Sequence, residues 1–264
     1  MRLITANVNG IRAAARRGGL EWLARQDADV ITLQEVRATD EQLEKALAGT
    51  ELATWNLAHT PSDTAGRAGV AVLSPHVLTA RESGLTEHER TGRWLETRVA
   101  LGEGTTVTAV SAYVHTGEAG TPKQDDKYAF LHAITQRLAE LKSQGESVVL
   151  TGDFNICHRD LDLKNWKGNR GKAGFLPEEQ AHLTGWFGDG WVDVVRARAG
   201  EVAGPYTWWS WRGKAFDNDA GWRIDYQIAS PDLAGAVERA WVGRADTYAE
   251  RWSDHAAVLV DYAI

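Results

Sequence analysis

The segment Val148-Val149-Leu150-Thr151-Gly152-Asp153-Phe154-Asn155 joins a short apolar, β-branched run to polar residues that favour a turn. Such a run is typical of a buried strand. Similar runs recur at residues 2–6, 30–33, 70–73, 105–112, 224–229 and 256–260. Between some of them, helical patterns occur at residues 20–25, 40–47, 125–141 and 177–187. The sequence therefore predicts a fold that mixes helices and strands, α/β or α+β.

Length and composition restrict the class of protein. The 264 residues are 43% hydrophobic and 25% charged, an ordinary balance for a globular chain. The sequence contains no apolar run of transmembrane length, and its N-terminus turns polar too soon for a signal peptide. We therefore expect a cytoplasmic protein without a membrane partner. Because repeats and Pro/Ser-rich linkers are also missing, one domain over residues 1–264 is the simplest organisation.

Cysteine content and net charge exclude further classes. The single cysteine, Cys157, rules out an intramolecular disulfide and a cysteine-based zinc cluster. The net charge of −7 argues against a protein that coats nucleic acid indiscriminately, because phosphate binding depends on cations. It still allows a local basic face. Basic residues cluster at Arg12, Arg16 and Arg17, at Lys164, Lys167, Arg170 and Lys172, and at Arg212, Lys214 and Arg223, although such clusters are most often solvated surface.

Polar side chains with catalytic chemistry lie at the ends of the predicted strands. They are Asn7, Glu35, Tyr113, Asp153, Asn155, Asp225, Asp254 and His255. Since ligands bind where strand ends converge in α/β sheets, these side chains could share one cleft. Each residue alone also has a structural explanation, for example a core position for Tyr113 or a surface position for Glu35. Their joint occurrence favours a functional site.

The residue types suit metal-assisted hydrolysis of a phosphodiester. Hard oxygen ligands such as Glu35, Asp254 and Asn7 match Mg²⁺ or Mn²⁺. The reaction needs a cation to neutralise charge and a base to prepare water, and Asp153 could supply that base. Signatures of rival mechanisms are missing from the sequence, namely Gly-x-Ser-x-Gly, His-Glu-x-x-His and Gly-x-x-x-x-Gly-Lys-Ser/Thr.

Three further polar residues would complete such a site. Asn155 could donate a hydrogen bond to a phosphoryl oxygen where charge builds up. A hydrogen bond between Asp225 and His255 would fix the tautomer of the imidazole and favour its protonated form beside a phosphate. The other histidines, including His158 and His182, fit structural or solvated positions.

Motifs along nearly the whole chain resemble the exonuclease III family of abasic-site (AP) endonucleases, within the endonuclease/exonuclease/phosphatase superfamily. In chain order the motifs are Asn7-Val8-Asn9-Gly10-Ile11-Arg12, Leu33-Gln34-Glu35, Gly69-Val70-Ala71, Tyr113, Gly152-Asp153-Phe154-Asn155, Gly221-Trp222-Arg223-Ile224-Asp225-Tyr226 and Ser253-Asp254-His255. Residues 162–179 resemble the loop and helix start of the branch that includes the major animal abasic endonuclease.

This resemblance implies a fold that periodicity alone does not predict. The expected fold is a four-layer α/β-β/α sandwich of two packed mixed β-sheets flanked by helices. The implied activity is that of a Mg²⁺-dependent AP endonuclease, with Mn²⁺ as a substitute, which cuts double-stranded DNA 5′ of abasic sites. Activity as a 3′-5′ exodeoxyribonuclease and the cleaning of damaged 3′ ends are expected on the same site. We expect the enzyme to be a monomer.

The resemblance also implies roles for individual residues. The expected metal site comprises Glu35 as the main ligand together with Asn7, Asp153, Asn155, Asp254 and His255. Asp153 would activate the attacking water. Asn155, His255 and Tyr113 would contact the phosphate, and Asp225 would orient His255.

Substrate selection is expected in the aromatic segment Tyr206-Thr207-Trp208-Trp209-Ser210-Trp211 and in Trp222 with Ile224. In the family, the side chains that correspond to Trp208, Trp222 and Ile224 wall a pocket for a flipped-out sugar that lacks its base. Such a pocket selects an abasic deoxyribose, because extrusion is cheapest where no base is stacked. The alternative for several of the 12 tryptophans is that they only fill the core. Further DNA contacts are expected from Arg67, Lys167 and Asn169.

Two departures from the family pattern concern the grip on DNA. Arg67 stands where many relatives have a tyrosine, and His115-Thr116 stands where they often have a proline with a small polar residue.

Two alternative functions stay open, since fold does not imply substrate. One is a phosphatase or phosphodiesterase of the same superfamily that acts on inositol phosphates, lipids or RNA, and the other is a non-catalytic DNA-binding module. The Gly221-Trp222-Arg223-Ile224-Asp225 motif favours DNA repair.

Overall fold

Two six-stranded β-sheets form the centre of the computed structural model, in which residues 1–81, 85–102 and 104–264 are described. In spatial order, the first sheet contains β11 (Val237–Gly243), β12 (Ala257–Tyr262), β1 (Arg2–Asn7), β2 (Val30–Gln34), β4 (Val70–Ser74) and β3 (Asn56–Thr60). The second contains β5 (Val77–Ala80), β6 (Trp94–Gly102), β7 (Thr105–Tyr113), β8 (Val148–Asp153), β10 (Asp225–Ala229) and β9 (Val192–Asp193). Both sheets are mixed, because β1 pairs with β2, and β7 with β8, in parallel and the other pairs are antiparallel.

Helices cover the outer face of each sheet. On the first sheet, α1 (Ile11–Arg16), α2 (Gly19–Ala24) and α3 (Asp40–Leu47) bury apolar side chains such as Leu23 and Leu43. On the second, α4 (Pro122–Ser143) and α6 (Pro177–Gly188) do so through residues such as Leu131 and Leu183. Shorter helices are α5 (Trp166–Asn169), α7 (Val194–Ala199) and α8 (Pro231–Gly235), with 3₁₀ turns at Glu51–Thr54, Thr86–Thr91, Asp160–Asp162 and Tyr248–Glu250.

A separate apolar cluster fills the space between the two sheets. It includes Leu3 and Val72 from the first sheet and Val107 and Val149 from the second. The order of layers is therefore helix, sheet, sheet, helix, and the predicted four-layer sandwich is confirmed. Among the described residues, no helix has both the length and the apolar character that a membrane crossing requires.

The predicted strands and helices are all confirmed, with ends that differ by a few residues. The sequence patterns missed the strands β3, β5, β6, β9 and β11 and the helices α1, α5, α7 and α8. Four of the missed strands lie at sheet edges, where side chains are only partly covered and no apolar run develops. The fifth, β6, carries the buried Glu96, which pairs with Arg137 at 2.8 Å and interrupts the apolar pattern.

Buried hydrogen bonds between the sheets fix their relative position. Thr32 Oγ1 lies 2.7 Å from Thr151 Oγ1, and the amide of Gln34 donates to Ser111 Oγ at 2.9 Å. An unpaired buried polar group costs about 1–3 kcal/mol, so these pairs resist sliding of one sheet over the other. Gln34 ends β2 immediately before Glu35, and Ser111 lies near the end of β7. The hydrogen bonds therefore bring the same ends of the two sheets together.

A glycine allows β7 and β8 to approach closely at that end. Gly152 has a φ of 134°, and a Cβ at this position would lie 1.9 Å from the carbonyl oxygen of Ala112. A larger residue would therefore force the strands apart. The pairing of Tyr113 with Asp153, one residue further on, depends on this close approach.

Arg223 is fully buried, and the expectation that it belongs to a solvated basic cluster is wrong. Its Nε donates to Asp162 at 2.7 Å, and its Nη1 lies 2.7 Å from a carboxylate oxygen of Asp193. Arg196 also donates to Asp162, at 2.5 Å. The two aspartates neutralise the arginines inside the protein, which sequence spacing could not indicate.

Replacing Arg223 by alanine should lower the free energy of unfolding by about 3–5 kcal/mol, because it leaves buried carboxylates without their counter-ion. Urea unfolding followed by circular dichroism measures the change. The matched control is Arg198→Ala at an exposed position of α7, with an expected effect within about 0.5 kcal/mol. Equal stability of the two variants would contradict a structural role for the buried network.

Candidate active site

A cavity of about 290 Å³ opens where the strand ends of the two sheets meet. Its lining combines a polar side with an apolar side. The lining residues are Asn9, Glu35, Arg37, Tyr113, Thr116, Asp153, Asn155, Ala173, Gly174, Trp208, Trp222, Ile224, Asp254 and His255. Residues that are far apart in sequence therefore share one cleft, as the positions at strand ends predict.

The backbone turns sharply where the polar residues leave the strands. Asn9, Glu35 and Asn155 have φ angles of 46°, 52° and 51°, in the left-handed region that residues with a Cβ seldom adopt. Strained positions of this kind cluster at functional sites and persist only where the surroundings hold them. Glu35 follows β2 of the first sheet and Asn155 follows β8 of the second, so both halves of the fold contribute such a turn.

Asn7 links carboxylates from the two sheets. Its side-chain amide donates to Glu35 Oε1 at 2.9 Å and to Asp153 Oδ2 at 2.8 Å. Its oxygen accepts the backbone N–H of Asn9 at 2.9 Å, which defines the orientation of the amide. In this orientation the nitrogen faces the carboxylates, so Asn7 positions them and would have to reverse its amide to become a metal ligand.

Glu35, Asp153 and His255 form a group that could hold a metal ion, since one ligand atom from each lies within 4.8 Å of the other two. All three are buried. Burial raises the pKa of Asp153 to about 7; His255 opposes this rise, and the carboxylates of Asp225 and Glu35 add to it. Ionisation of this buried carboxyl group is unfavourable, and a bound cation would stabilise its charged form. Oxygen donors of this kind suit Mg²⁺ or Mn²⁺.

The remaining predicted ligands lie beside this group. Asp254 lines the cavity. Its carboxylate oxygens accept hydrogen bonds from the side-chain amide of Asn9 at 2.7 Å and from the indole N–H of Trp208 at 3.1 Å. Asn155 donates to the carbonyl of Val114 at 3.0 Å and lies 3.4 Å from Asp153 Oδ2. Both side chains are thus oriented by neighbours and face the same cleft.

His255 is paired with two carboxylates. Its Nδ1 lies 2.9 Å from Asp225 Oδ2, and its Nε2 lies 3.8 Å from Asp153 Oδ2. Burial alone would lower the pKa of the imidazole, but Asp225 and Asp153 outweigh it and raise the pKa to about 10. The structure therefore brings the predicted partners Asp225 and His255 together. The negative charge of Asp225 favours the imidazolium form of His255.

Tyr113 lies on the polar side of the cavity beneath an arginine. The guanidinium of Arg93 lies 4.7 Å from the centre of the Tyr113 ring and donates to its carbonyl at 3.2 Å. Burial, followed by the charges of Glu35 and Asp153, raises the pKa of the phenol well above its usual range. Tyr113 is therefore a neutral hydrogen-bond donor at physiological pH.

Sequence reasoning missed several residues that shape the polar side. Arg37 lines the cavity and forms an ion pair with Glu35. Thr207, fully buried, accepts the backbone N–H groups of Ile224 and Asp225 at 3.1 Å each. The position of Arg37, two residues after Glu35, is a signal that could have identified it. Neither Thr207 nor Arg93 stands in a recognisable motif.

The apolar side of the cavity is formed by Trp208, Trp222 and Ile224. The two indole rings are perpendicular, with centroids 6.0 Å apart. Their backbones exchange two hydrogen bonds of 2.9 Å, so the rings sit on a short antiparallel pairing. Cys157 and Phe175 pack with this group and fill the space around it. The result is an apolar wall beside the polar residues of the same cavity.

The predicted DNA contacts Arg67, Lys167 and Asn169 are not among the residues that line the cavity. Arg67 is exposed, and Lys167 is exposed with its ammonium 5.4 Å from the centre of the Trp166 ring. Asn169 is partly covered and donates to the carbonyl of Asn165 at 2.9 Å. Their contacts with DNA stay predictions.

In metal-free protein, the imidazole of His255 should stay protonated at pH 8, because its pKa of about 10 lies above the ordinary value of about 6.5. Asp225→Asn should lower that pKa by removing a charged partner. Nitrogen-15 NMR titration of the ring in EDTA measures both values, with the exposed Asp189→Asn as a control that leaves the titration unchanged. A wild-type midpoint near the ordinary value would contradict this charge state.

Comparisons with known proteins agree with this architecture. The model of the endonuclease/exonuclease/phosphatase family matches residues 4–255. The exodeoxyribonuclease of Bacillus subtilis (strain 168) is 34% identical over 261 residues, which cover 98% of each chain. The DNA repair nuclease APEX1 of Danio rerio is 31% identical over 235 residues, which cover 88% of this chain and 74% of the relative.

Two further similar proteins carry more specific names. The DNA-(apurinic or apyrimidinic site) endonuclease of Dictyostelium discoideum is 27% identical over 242 residues, covering 90% of this chain and 64% of the relative. A solved structure of a 3′ phosphatase from Neisseria bound to product DNA hairpin superposes with a TM-score of 0.86 at 25% identity and covers 99% of both chains. On this combined basis, the chain belongs to the endonuclease/exonuclease/phosphatase family and, within it, to the exonuclease III group of AP endonucleases.

Proposed function

We propose that this chain is a metal-dependent phosphodiesterase that hydrolyses the DNA backbone on the 5′ side of abasic sites. One observation carries the proposal. The group Glu35, Asp153 and His255 and the apolar wall of Trp208 and Trp222 lie in the same cavity of about 290 Å³. A phosphate that reaches the polar side would therefore present the adjoining sugar to the apolar side.

The shape of the apolar wall fits a sugar without a base. Trp222 and Trp208 are half-buried and perpendicular, and Ile224 lies next to them. An extruded abasic deoxyribose is compact and partly apolar, whereas an intact nucleotide would bring a base that must also leave its stack. Selection would thus combine the low cost of extrusion with exclusion of the base by the wall.

Mg²⁺ is the proposed cofactor, with Mn²⁺ as a substitute, and Glu35 is the proposed main ligand together with Asp153. Asp254 and Asn155 are proposed to complete the metal site, and His255 would join them only as the neutral imidazole, because the imidazolium has no free lone pair for a metal. When bound, the cation would neutralise charge on the phosphate and so favour attack by water. The residues present fit this ion, because their donor atoms are mainly carboxylate oxygens in a buried cluster.

Asp153 is proposed to take the proton from the attacking water. Without a bound cation its pKa is about 7, in the range in which a general base works well at neutral pH. The backbone N–H of Asn155 donates to Asp153 Oδ1 at 2.9 Å and the Asn7 amide donates to Oδ2 at 2.8 Å, so both oxygens are oriented. A base held in one geometry loses little entropy in the reaction.

His255, Asn155 and Tyr113 are proposed to stabilise the phosphate as charge builds up. His255 would act as the imidazolium favoured by Asp225, while the amide of Asn155 and the phenol of Tyr113 would act as neutral donors. Donors that are fixed before reaction stabilise a transition state without reorganisation, which makes such terms large. Arg67, Lys167 and Asn169 are proposed to contact the duplex outside the cavity.

The same site is proposed to act on 3′ ends, as a 3′-5′ exonuclease and in the removal of 3′ blocking groups. The name of the Bacillus subtilis relative and the Neisseria 3′ phosphatase, which has the same fold, support this extension. We further propose that residues 1–264 form one catalytic domain that works as a cytoplasmic monomer on double-stranded DNA. Phosphatase activity on inositol phosphates or lipids receives no comparable support.

Asp153→Asn and His255→Ala should each lower kcat by about 10²–10⁴-fold and leave DNA affinity nearly unchanged, because the lost interactions act on the transition state. Single-turnover incision of an abasic duplex gives the rate, and fluorescence anisotropy in Ca²⁺ gives the affinity. A large loss of affinity with an unchanged rate in the bound complex would assign these residues to binding instead.

Trp222→Ala should weaken the preference for abasic over intact DNA, because the wall that excludes a base is opened. The ratio of kcat/KM for the two duplexes measures that preference. Trp241→Ala serves as a control, since Trp241 is also half-buried but lies on the edge strand β11. Unchanged selectivity in Trp222→Ala would mean that the sugar pocket lies elsewhere.

A further inference from the structure

A buried ion pair connects α4 and α6 behind the active site. Lys127 of α4 and Glu179 of α6 are both fully buried, and their Nζ and Oε1 atoms lie 2.7 Å apart. A buried ion pair gains little net stability, because the cost of removing both charges from water offsets their attraction. The presence of this pair beside the site therefore needs an explanation other than stability.

The ammonium of Lys127 also holds two segments of the cavity wall. It donates to the carbonyl oxygen of Asn155 at 2.8 Å and to that of Thr116 at 3.2 Å. Both residues line the cavity. An ammonium has three N–H donors, so the bonds to Asn155, Thr116 and Glu179 use all of them.

Glu179 extends this connection to a third segment of the wall. Its Oε2 accepts the backbone N–H of Leu176 at 3.1 Å. Two residues earlier, Gly174 packs so closely that a Cβ there would lie 3.0 Å from the Trp222 ring and 3.1 Å from the carbonyl oxygen of Asn155. The carbonyl of Asn155 is therefore enclosed by Lys127 on one side and by the loop that Glu179 holds on the other.

We propose that Lys127, held by Glu179, is a positioning residue that fixes the backbone of Asn155 and the cavity wall without touching the substrate. The proposal rests on the function proposed above. Asn155 has a φ of 51°, and such a conformation persists only where neighbouring groups impose it. The hydrogen bond from Lys127 to the backbone carbonyl of Asn155 is an interaction of this kind. It holds the side-chain amide of Asn155 in the position where it faces Asp153.

The double substitution Lys127→Met and Glu179→Gln tests the proposal. Methionine preserves the bulk of the buried stem but donates no hydrogen bond, and glutamine removes the charge that would otherwise be left alone. We expect kcat for an abasic duplex to fall by about 10²-fold, the effect of a small misplacement of reacting groups, with little change in KM.

The matched control is a second buried pair on the same helix. Arg137 lies ten residues after Lys127, about 15 Å along α4, and donates to Glu96 at 2.8 and 2.9 Å. The double variant Arg137→Met and Glu96→Gln removes a comparable pair that does not reach the cavity wall. It should lose comparable stability and keep the wild-type kcat. Equal kcat losses in both double variants would reduce Lys127 to a purely structural role and overturn the proposal.

A readout without substrate separates this proposal from the proposed function. Exchange of the backbone N–H groups of Asn155, Cys157 and Leu176 should accelerate in the Lys127 double variant and not in the Arg137 control, because these groups hydrogen-bond within the connected segments. Unchanged exchange, or unchanged kcat in a folded variant, overturns the positioning role. If the wild type itself cuts no abasic duplex, the proposed function fails, and the exchange rates still decide whether Lys127 fixes these loops.

Discussion

The hydrogen bonds of the Asn7 amide are the contact on which the arrangement of the site depends. They join Glu35 of the first sheet to Asp153 of the second, and they do so where two carboxylates would otherwise repel each other. The buried hydrogen bonds between the sheets, such as that of Gln34 with Ser111, bring these strand ends into register. A cation bound at the site would reduce the repulsion between these carboxylates more strongly than the Asn7 amide does. The packing of the two sheets and the chemistry of the site therefore both depend on holding Glu35 and Asp153 close together.

Most central strands and the longer helices could be predicted from sequence, whereas the edge strands, β6 and most short helices could not. Strands covered on both faces, such as β2 and β8, begin with apolar, β-branched residues, and a helix such as α3 shows its N-cap and its period. Edge strands such as β3 bury too little to carry a pattern. That two mixed sheets stack face to face came from the family resemblance, because packing between distant segments has no local signal.

For the site, the residues and the Asp225–His255 pair could be predicted from sequence, and most other partners became visible only in the structure. Polar residues at strand ends could be selected because several of them occur together, and the structure gathers Glu35, Asp153 and His255 in one cleft. Partners such as Lys127 and Arg93 escaped selection, since a lone basic residue in a helix or strand has no distinctive context. Their functions become visible only from the distances that connect them to Asn155 and Tyr113.

The most direct test of the account is cleavage of an end-labelled duplex that carries one tetrahydrofuran abasic mimic, in Mg²⁺ and in EDTA. An intact duplex and a duplex with a recessed 3′ end serve as parallel substrates. We expect incision immediately 5′ of the mimic in Mg²⁺, none in EDTA, and none within the intact duplex. Failure to cut the mimic in either Mg²⁺ or Mn²⁺, or equal cutting of intact DNA, would contradict the proposed joint action of the carboxylate group and the apolar wall.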